Sequence, residues 1–150
     1  MHSASAVANR FLELAEDAGH QLTPMQVLKL VYLAHGWMLG LYHRPLISER
    51  IEAWKYGPVI PRLYDVMRHF RSSPVTEVLP CGDHIITDQE EDIIKQVYEI
   101  YGDLSGPALS RITHEKDTPW SQTYDPNGFG DEIPNTLIER YYSRKACEGA

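Results

Sequence analysis

Cysteine is scarce in this sequence, and long apolar runs are missing. The two cysteines, Cys81 and Cys147, stand far apart in 150 residues, and neither belongs to a CxxC pair. A disulfide framework is therefore not expected, whereas a reducing compartment is. The most apolar stretch, residues 25–41, is interrupted by Lys29 and His35, which makes it a poor membrane span. Because the first residues also lack the basic start and apolar core of a signal peptide, we expect a cytoplasmic protein with no membrane partner.

Sequence motifs for catalysis and for metal binding are missing as well. The chain contains no P-loop, no Gly-x-Ser-x-Gly elbow and no dinucleotide fingerprint. Its seven histidines include no pair at the spacing of three or four residues that a helical zinc site uses. We therefore predict a protein with no catalytic residue, no metal and no cofactor. A small hydrolase using His114 or Cys81 is kept as an alternative class, although no motif supports it.

Acidic residues outnumber basic ones, and the formal net charge is −7 at pH 7. A charge of this sign repels phosphate backbones, so nucleic acid is not expected as a partner. The balance differs along the chain, because residues 44–71 are mostly basic and residues 77–103 are mostly acidic. This unevenness predicts two surfaces of opposite charge on one molecule.

The spacing of apolar residues predicts a mainly helical fold. Helical spacing recurs in residues 7–14, 25–41, 60–70, 93–101, 109–112 and 137–141. Residues 50–56 alternate with period two and predict one short strand, which Gly57–Pro58 is expected to end as a turn. Residues 84–87 are the candidate partner strand. The sequence thus predicts one compact α+β domain over residues 1–150, with about six helices, a two-stranded element near residues 50–56 and 84–87, and a last helix at about residues 134–146.

The second helix carries the clearest start signal in the sequence. Thr23 can cap it, Pro24 suits its first turn, and Gln26 completes a capping box. Its apolar residues lie on nearly all sides, which is typical of the central helix of a domain. Gly36 and Gly40 share one narrow strip of this helix, where another backbone could approach closely.

Three ordered segments resemble one known family. Residues 25–47 carry a Leu-Lys-Leu helix that runs into a Trp, a Tyr and an Arg-Pro-Leu turn, residues 51–64 read IEAWKYGPVIPRLY, and residues 101–120 read YGDLSGPALSRITHEKDTPW. In this order and with these aromatics, the segments resemble the Panacea antitoxin domain, also known as the SocA-like or phage-associated antitoxin. The resemblance covers most of residues 5–125 and leaves the tail beyond about residue 130 unmatched.

The resemblance implies a function in protein binding. Members of this family neutralise a toxin encoded beside them, and they are paired with many unrelated toxins, which implies a fixed scaffold with a variable binding surface. We therefore expect a bacterial antitoxin that binds its cognate toxin directly, with delivery of the toxin to a protease or unfoldase as a related mechanism. A winged-helix regulator that binds nucleic acid, with residues 62–71 as its recognition helix, is the alternative.

The resemblance also singles out the residues of the family pattern. They are Lys29, Trp37, Glu52, Trp54, Tyr56, Gly57, Pro58, Leu109, His114 and Trp120. The three tryptophans are expected to hold the core together, since an indole buries a large apolar area. Glu52 is expected either to pair with Lys29 or His114 or to remain a solvated edge residue. His114, at the end of a helix, is expected to make a structural hydrogen bond.

Two charged surfaces are candidates for binding the toxin. The acidic candidates are Glu90, Glu91 and Asp92, and the basic candidates are Arg62, Arg68 and Arg71. Toxins that act on RNA or nucleotides often carry basic substrate sites, which an acidic surface at residues 90–92 could cover. Glu90 also completes a capping-box pattern with Thr87. Two solvated helix faces would explain the same charges.

Overall fold

Helices follow one another along the chain, and a small sheet is inserted between them. The computed structural model describes residues 1–149. Its helices are α1 (Ala4–Asp17), α2 (Pro24–Tyr42), α3 (Pro61–Met67), α4 (Asp88–Tyr101), α5 (Gly106–Thr113), α6 (Pro119–Thr123) and α7 (Asn135–Glu148). Its strands are β1 (Glu52–Trp54), β2 (Gly57–Val59) and β3 (Asp131–Glu132), and a 3-10 turn, Arg68–Phe70, extends α3. The prediction of a mainly helical α+β domain is confirmed.

Helix α2 lies at the centre of the domain, and α1, α4, α5 and α7 pack around it. It is buried on nearly every side, and it begins where the capping pattern predicts. The Thr23 hydroxyl accepts a hydrogen bond from the Gln26 main-chain N–H, and the Gln26 side chain accepts one from the Thr23 N–H. The apolar residues of these helices form a core cluster that includes Phe11, Tyr32 and Ile94. Within residues 1–149, none of the helices is both long and apolar enough to span a lipid bilayer.

Helix α7 lies directly against two glycines of α2. A Cβ atom on Gly40 would lie 2.7 Å from the main-chain carbonyl carbon of Tyr142, and one on Gly36 would lie 2.5 Å from the Tyr142 ring. The ring of Tyr142 packs edge-on against Trp37, with 5.1 Å between the ring centroids. The glycine strip therefore admits a neighbouring helix, as its sequence predicts. This last helix spans Asn135–Glu148, slightly later than predicted.

His35 joins three separate segments near the centre of the domain. Its Nδ1 accepts hydrogen bonds from the main-chain N–H groups of Leu46 and Ile47, at 3.2 and 3.3 Å. Nε2 therefore carries the ring proton, and this N–H donates a hydrogen bond to Oδ1 of Asn135, at 2.9 Å. The ring is fully buried, and this burial lowers the pKa of His35. The neutral ring thus fixes α2 to the segment before β1 and to the start of α7.

The strands form one antiparallel sheet in the order β2–β1–β3. In the β1–β2 hairpin, Glu52 lies opposite Val59 and Trp54 lies opposite Gly57, with the turn at residues 55–56. The prediction that Gly57–Pro58 ends the strand as a turn is therefore wrong, because both residues belong to β2. Proline is tolerated there since β2 is an edge strand, whose outer side needs no ladder hydrogen bond.

The predicted partner strand near residues 84–87 is also wrong. The segment at residues 81–87 contains no strand, and β1 pairs instead with β2 and β3. The side chain of Ile85 is 89% exposed, whereas Ile86 is half-buried and packs against the core cluster, so the pair contributes one core contact without forming a strand. Strand β3 was not predicted, because Asp131 and Glu132 are both exposed acids and lack the alternation of apolar and polar residues that indicates a strand.

Candidate functional site

A cavity opens where the β1–β2 hairpin meets α2 and α3. We call it the hairpin groove, and its volume is about 360 Å³. The residues that define it are Met25, Leu28 and Lys29 of α2, Trp54, Lys55 and Tyr56 of the hairpin, and Tyr64, Arg68 and Arg71 of α3 and the segment after it. Helix α2 and the continuous hairpin–α3 segment, which are separate in the sequence, therefore build one concave surface.

The walls of the hairpin groove are apolar and partly aromatic. The indole of Trp54 packs edge-on against the ring of Tyr64, with 5.2 Å between the centroids. Tyr56, at the turn of the hairpin, is 65% exposed. Its backbone is nevertheless fixed, because the Ser110 hydroxyl donates a hydrogen bond to the main-chain oxygen of Tyr56. The groove thus offers a preformed apolar surface to a side chain that enters from outside.

Lys29 lies on the inner wall of the groove and is 2% exposed. Its ammonium donates to the main-chain oxygen of Pro58 at 2.7 Å. A Cβ atom on Gly57 would lie 2.8 Å from this Nζ, and the backbone angle φ of Gly57 is +124°. Glycine is therefore required at this position by both its conformation and the approach of the lysine. Burial lowers the pKa of Lys29 to about 7.

Three further cations surround the mouth of the groove. Lys55, Arg68 and Arg71 are exposed, and the groove lining, as far as the described chain forms it, includes neither Asp nor Glu. In the described part of the chain, none of these three side chains lies within 4.0 Å of a carboxylate.

The backbone of Arg71 is strained, with φ 56° and ψ −118°, a region unfavourable for a residue with a Cβ atom.

The far side of the hairpin is held by a second indole. Trp120 donates its Nε1–H to the main-chain oxygen of Trp54 and packs edge-on against His114, with 5.2 Å between the centroids. The His114 ring in turn hydrogen-bonds through Nδ1 to the main-chain oxygen of Ser110. Both tryptophans are half-buried and pack against the core cluster. Together they fix β1 against α5 and α6.

The predicted pairing of Glu52 with Lys29 or His114 is wrong. Glu52 accepts a hydrogen bond from the Trp54 indole at 2.9 Å and forms an ion pair with Arg50 at 3.1 Å. A Cβ atom on Gly130 would lie 2.5 Å from Glu52 Oε1, so the carboxylate lies beside the segment that leads into β3. Lys29 bonds to a carbonyl oxygen instead, which leaves the two charges in separate places.

The predicted acidic surface at residues 90–92 is wrong in its first residue. Glu90 is 3% exposed; its Oε1 accepts from the main-chain N–H of Thr87 and lies 2.8 Å from His2 Nε2. The capping box therefore draws this side chain inward. Glu91 is half-buried and paired with Arg10 at 2.6 Å, so Asp92 is the exposed acid of the three.

The family of the chain follows from comparison with known sequences. The sequence model described as "Antitoxin SocA-like, Panacea domain" matches residues 27–121. The chain belongs to this family. It is also 32% identical over 127 residues to Antitoxin SocA of Caulobacter vibrioides (strain NA1000 / CB15N), in an alignment that covers 78% of this chain and 68% of that protein. No solved structure matches the chain significantly. The predicted resemblance is thereby confirmed.

The hairpin groove belongs mainly to the Panacea-matched region. The matched range includes the β1–β2 hairpin, α3, and α2 from Val27 onward, whereas α1 and α7 lie outside it. The predicted residues that meet at the groove are Lys29, Trp54, Tyr56, Arg68 and Arg71. Gly57 and Pro58 lie directly behind it, in contact with the Lys29 ammonium.

Other predicted residues lie away from the groove. Trp37 donates its Nε1–H to the hydroxyl oxygen of Tyr101 at 3.3 Å, near α7. Leu109 is fully buried in the core cluster. Arg62 is exposed on α3 and is not part of the groove lining. The predicted set therefore combines one surface site with residues that stabilise the fold.

Sequence reasoning missed Met25, Lys55 and Tyr64 as parts of the groove. Lys55 and Tyr64 stand inside the segment IEAWKYGPVIPRLY, so the family pattern was the available signal. Met25 stands in the first turn of α2, where it is 41% exposed. An apolar residue at a capped helix start is consistent with either core or surface, and only the tertiary contacts decide between them.

Proposed function

We propose that this chain is the antitoxin of a bacterial toxin–antitoxin pair and that it neutralises its cognate toxin in the cytoplasm by direct protein–protein binding at the hairpin groove. Membership of the SocA-like, Panacea domain family supports the antitoxin role. The observation that carries the choice of surface is the preformed apolar groove with its exposed Tyr56. The proposed mechanism needs binding alone and assigns no catalytic step to the chain.

The residue types of the groove suit a protein interface. Tryptophan, tyrosine and arginine are enriched at positions that dominate binding energy, and Trp54, Tyr56, Arg68 and Arg71 provide all three types within one cavity. The hydrogen bonds from Trp120 and Ser110 to the hairpin backbone hold this surface in place before binding. A preorganised surface loses less conformational entropy when the partner binds.

The two alternatives make different use of the same surface. Delivery of the toxin to a protease or unfoldase also requires the chain to bind the toxin, so the groove serves both mechanisms. Recognition of nucleic acid by residues 62–71 has weaker support, because α3 spans just Pro61–Met67 and buries Leu63 and Met67 against the core. Arg68 and Arg71 line the groove beyond this helix.

Co-expression with the product of the adjacent reading frame tests the proposal. We expect that product to arrest growth alone, and this chain to restore growth and co-purify with it. Tyr56→Ala should abolish rescue because it removes the exposed aromatic of the groove, whereas Tyr42→Ala, an exposed tyrosine at the end of α2, should retain rescue.

The same experiment separates the two mechanisms and can refute both. Rescue that disappears when one cytoplasmic protease is depleted would assign delivery rather than direct inhibition. An adjacent product that is harmless, or that never associates with the chain, would contradict the proposed antitoxin function. Equal rescue by Tyr56→Ala and the parent chain would move the toxin-binding surface away from the groove.

A further inference from the structure

We infer that the hairpin groove takes an apolar side chain of the partner protein that has an Asp or Glu beside it, with the carboxylate held by Arg68 and Arg71. This inference rests on the proposed function, since it specifies which part of the toxin the groove binds. It goes further in naming the chemistry of the bound segment.

The size and lining of the groove select an apolar occupant. A volume of about 360 Å³ lies at the lower end of the range for ligand pockets. Its apolar lining includes Met25, Leu28 and the aromatic pair Trp54 and Tyr64. An aromatic or large aliphatic side chain fits such a space and gains free energy by leaving water.

The charges around the groove select an acidic neighbour for that side chain. Among residues 1–149, four cations line it and no carboxylate does. Lys55, Arg68 and Arg71 stand at its mouth, where a partner carboxylate can approach without displacing an existing ion pair. Arginine binds carboxylates in a planar, two-pronged geometry, which fixes orientation as well as adding attraction.

Lys29 adds to this preference from inside the groove. An ammonium has three N–H donors, and within residues 1–149 one acceptor is found for Lys29, the Pro58 oxygen. A partner carboxylate near the groove stabilises the charged form of this buried lysine, whose pKa burial lowers to about 7. Binding is therefore expected to draw protons from solution at neutral pH.

An acidic protein segment explains these features better than a nucleic acid does. The apolar walls of the groove, which include Met25, Leu28 and Val59, suit an apolar side chain, and the net charge of −7 repels a polyanion at long range. A single carboxylate next to an apolar side chain can pair with the cations of the groove, and it adds less negative charge than a nucleic acid does. We therefore assign the occupant to a polypeptide.

Selection from a displayed library of random 12-residue peptides, with the purified full chain as bait, tests the assignment. We expect enriched peptides to share an aromatic or aliphatic residue adjacent to Asp or Glu. Binding of one enriched peptide should weaken about tenfold or more in the Arg68→Glu, Arg71→Glu variant. It should weaken similarly when the peptide carboxylate is replaced by an amide.

Matched variants keep the test independent of folding. Arg140→Glu with Arg144→Glu reverses two exposed arginines on α7, so it changes the net charge equally and should leave peptide binding intact. Arg68→Gln with Arg71→Gln removes the charges without introducing acids. Calorimetry of the peptide in buffers of different ionisation enthalpy should show proton uptake near neutral pH that Lys29→Met abolishes.

Several outcomes would overturn the assignment. Peptides enriched without an acidic residue, no enrichment, or equal binding by the Arg68 and Arg71 variants would each do so. If no peptide is enriched, and ATP or decanoate raises the thermal stability in a way that depends on these arginines, the groove binds a small anion instead of a polypeptide. If the Arg68→Glu, Arg71→Glu variant still rescues growth fully, this inference fails while the proposed antitoxin function stands. If no toxin binds the chain, the proposed function fails and the peptide selection still reports on the groove.

Discussion

The ammonium of Lys29 donates a hydrogen bond to the main-chain oxygen of Pro58 over 2.7 Å. This contact joins the central helix α2 to the edge strand β2, and it passes so close to Gly57 that a side chain there would meet Nζ. A lysine from one segment of the family pattern and an adjacent glycine and proline from another thus form one structural unit. The unit places a buried cation at the back of the hairpin groove.

The buried lysine makes the stability of the protein depend on pH. Burial lowers the pKa of Lys29 from 10.5 to about 7, so between these values the unfolded chain holds a proton that the folded chain has released. Stability therefore rises with pH across that window. We expect urea denaturation to give a larger free energy of unfolding at about pH 9 than at about pH 7, and Lys29→Met to reduce this difference.

A surface lysine provides the control for this prediction. Lys95→Met changes an exposed residue of α4 and should leave the pH dependence as it is. The buried Tyr32 and Tyr142, whose pKa values burial raises above 10.0, lower stability as pH rises through about 10, which is above the comparison at about pH 9. Identical pH dependence in Lys29→Met and the parent chain would show that Lys29 is not the group responsible.

Gly40→Ala should destabilise the protein by about 2 kcal/mol or more. The added methyl group would meet the Tyr142 main-chain carbon at 2.7 Å and the Ser143 nitrogen at 2.9 Å, so α7 must move away from α2. Thermal denaturation measures the loss. Gly82→Ala, where the methyl group would meet nothing within 4 Å, should change stability by less than about 0.5 kcal/mol.

His35 should make the protein sensitive to mild acid. Burial lowers its pKa below the ordinary value of 6.5, so the unfolded chain takes up a proton first and stability falls as pH drops below 6.5. The protonated ring would also turn Nδ1 from an acceptor into a donor facing two N–H groups. Chemical denaturation between about pH 7 and pH 5 should show the decline, reduced in His35→Gln and unchanged in the exposed-site variant His69→Gln. A decline that survives His35→Gln intact would refute this attribution.

Arg71→Gly should stabilise the fold while it weakens partner binding. Glycine relieves the strained backbone at φ 56°, ψ −118°, a gain of about 1–3 kcal/mol. Glycine also gives the unfolded chain more conformational freedom, which reduces this stabilisation by about 0.5–1 kcal/mol. The unfolding free energy should rise by about 1 kcal/mol, whereas Arg68→Gly, at an ordinary helical conformation, should give no gain. An Arg71→Gly variant no more stable than the parent would argue against strain at this position.

Local signals in the sequence predicted most of the helices. Thr23 and Thr87 both cap helices in the structure, because their hydroxyls accept hydrogen bonds from the main-chain N–H groups three residues later. Such caps depend on neighbouring residues alone, so the sequence contains the information directly. The glycine strip of α2 was predictable for the same reason, since Gly36 and Gly40 are one helical turn apart.

The β1–β3 pairing and the groove depend on contacts between residues far apart in the sequence, and the sequence-based predictions were wrong about the strand partners of β1. Ile85–Ile86 looked like a partner for β1, but the hairpin closed on Gly57–Pro58 and the third strand came from residues 131–132. Glu90 looked like a surface acid in a run of acids, although its capping box buried it. The meeting of Lys29 with Trp54 and Arg68 likewise follows from the packing of three segments, which no local pattern encodes.

Site-specific photo-crosslinking tests the central claim, that the toxin binds at the hairpin groove, most directly. A variant of this chain carries p-benzoylphenylalanine in place of Tyr56 or, as the control, in place of Tyr42. It is co-expressed with the product of the adjacent reading frame, and the cells are irradiated. The account predicts a covalent adduct with the toxin from position 56 and none from position 42. An adduct from position 42 with none from position 56 would contradict it.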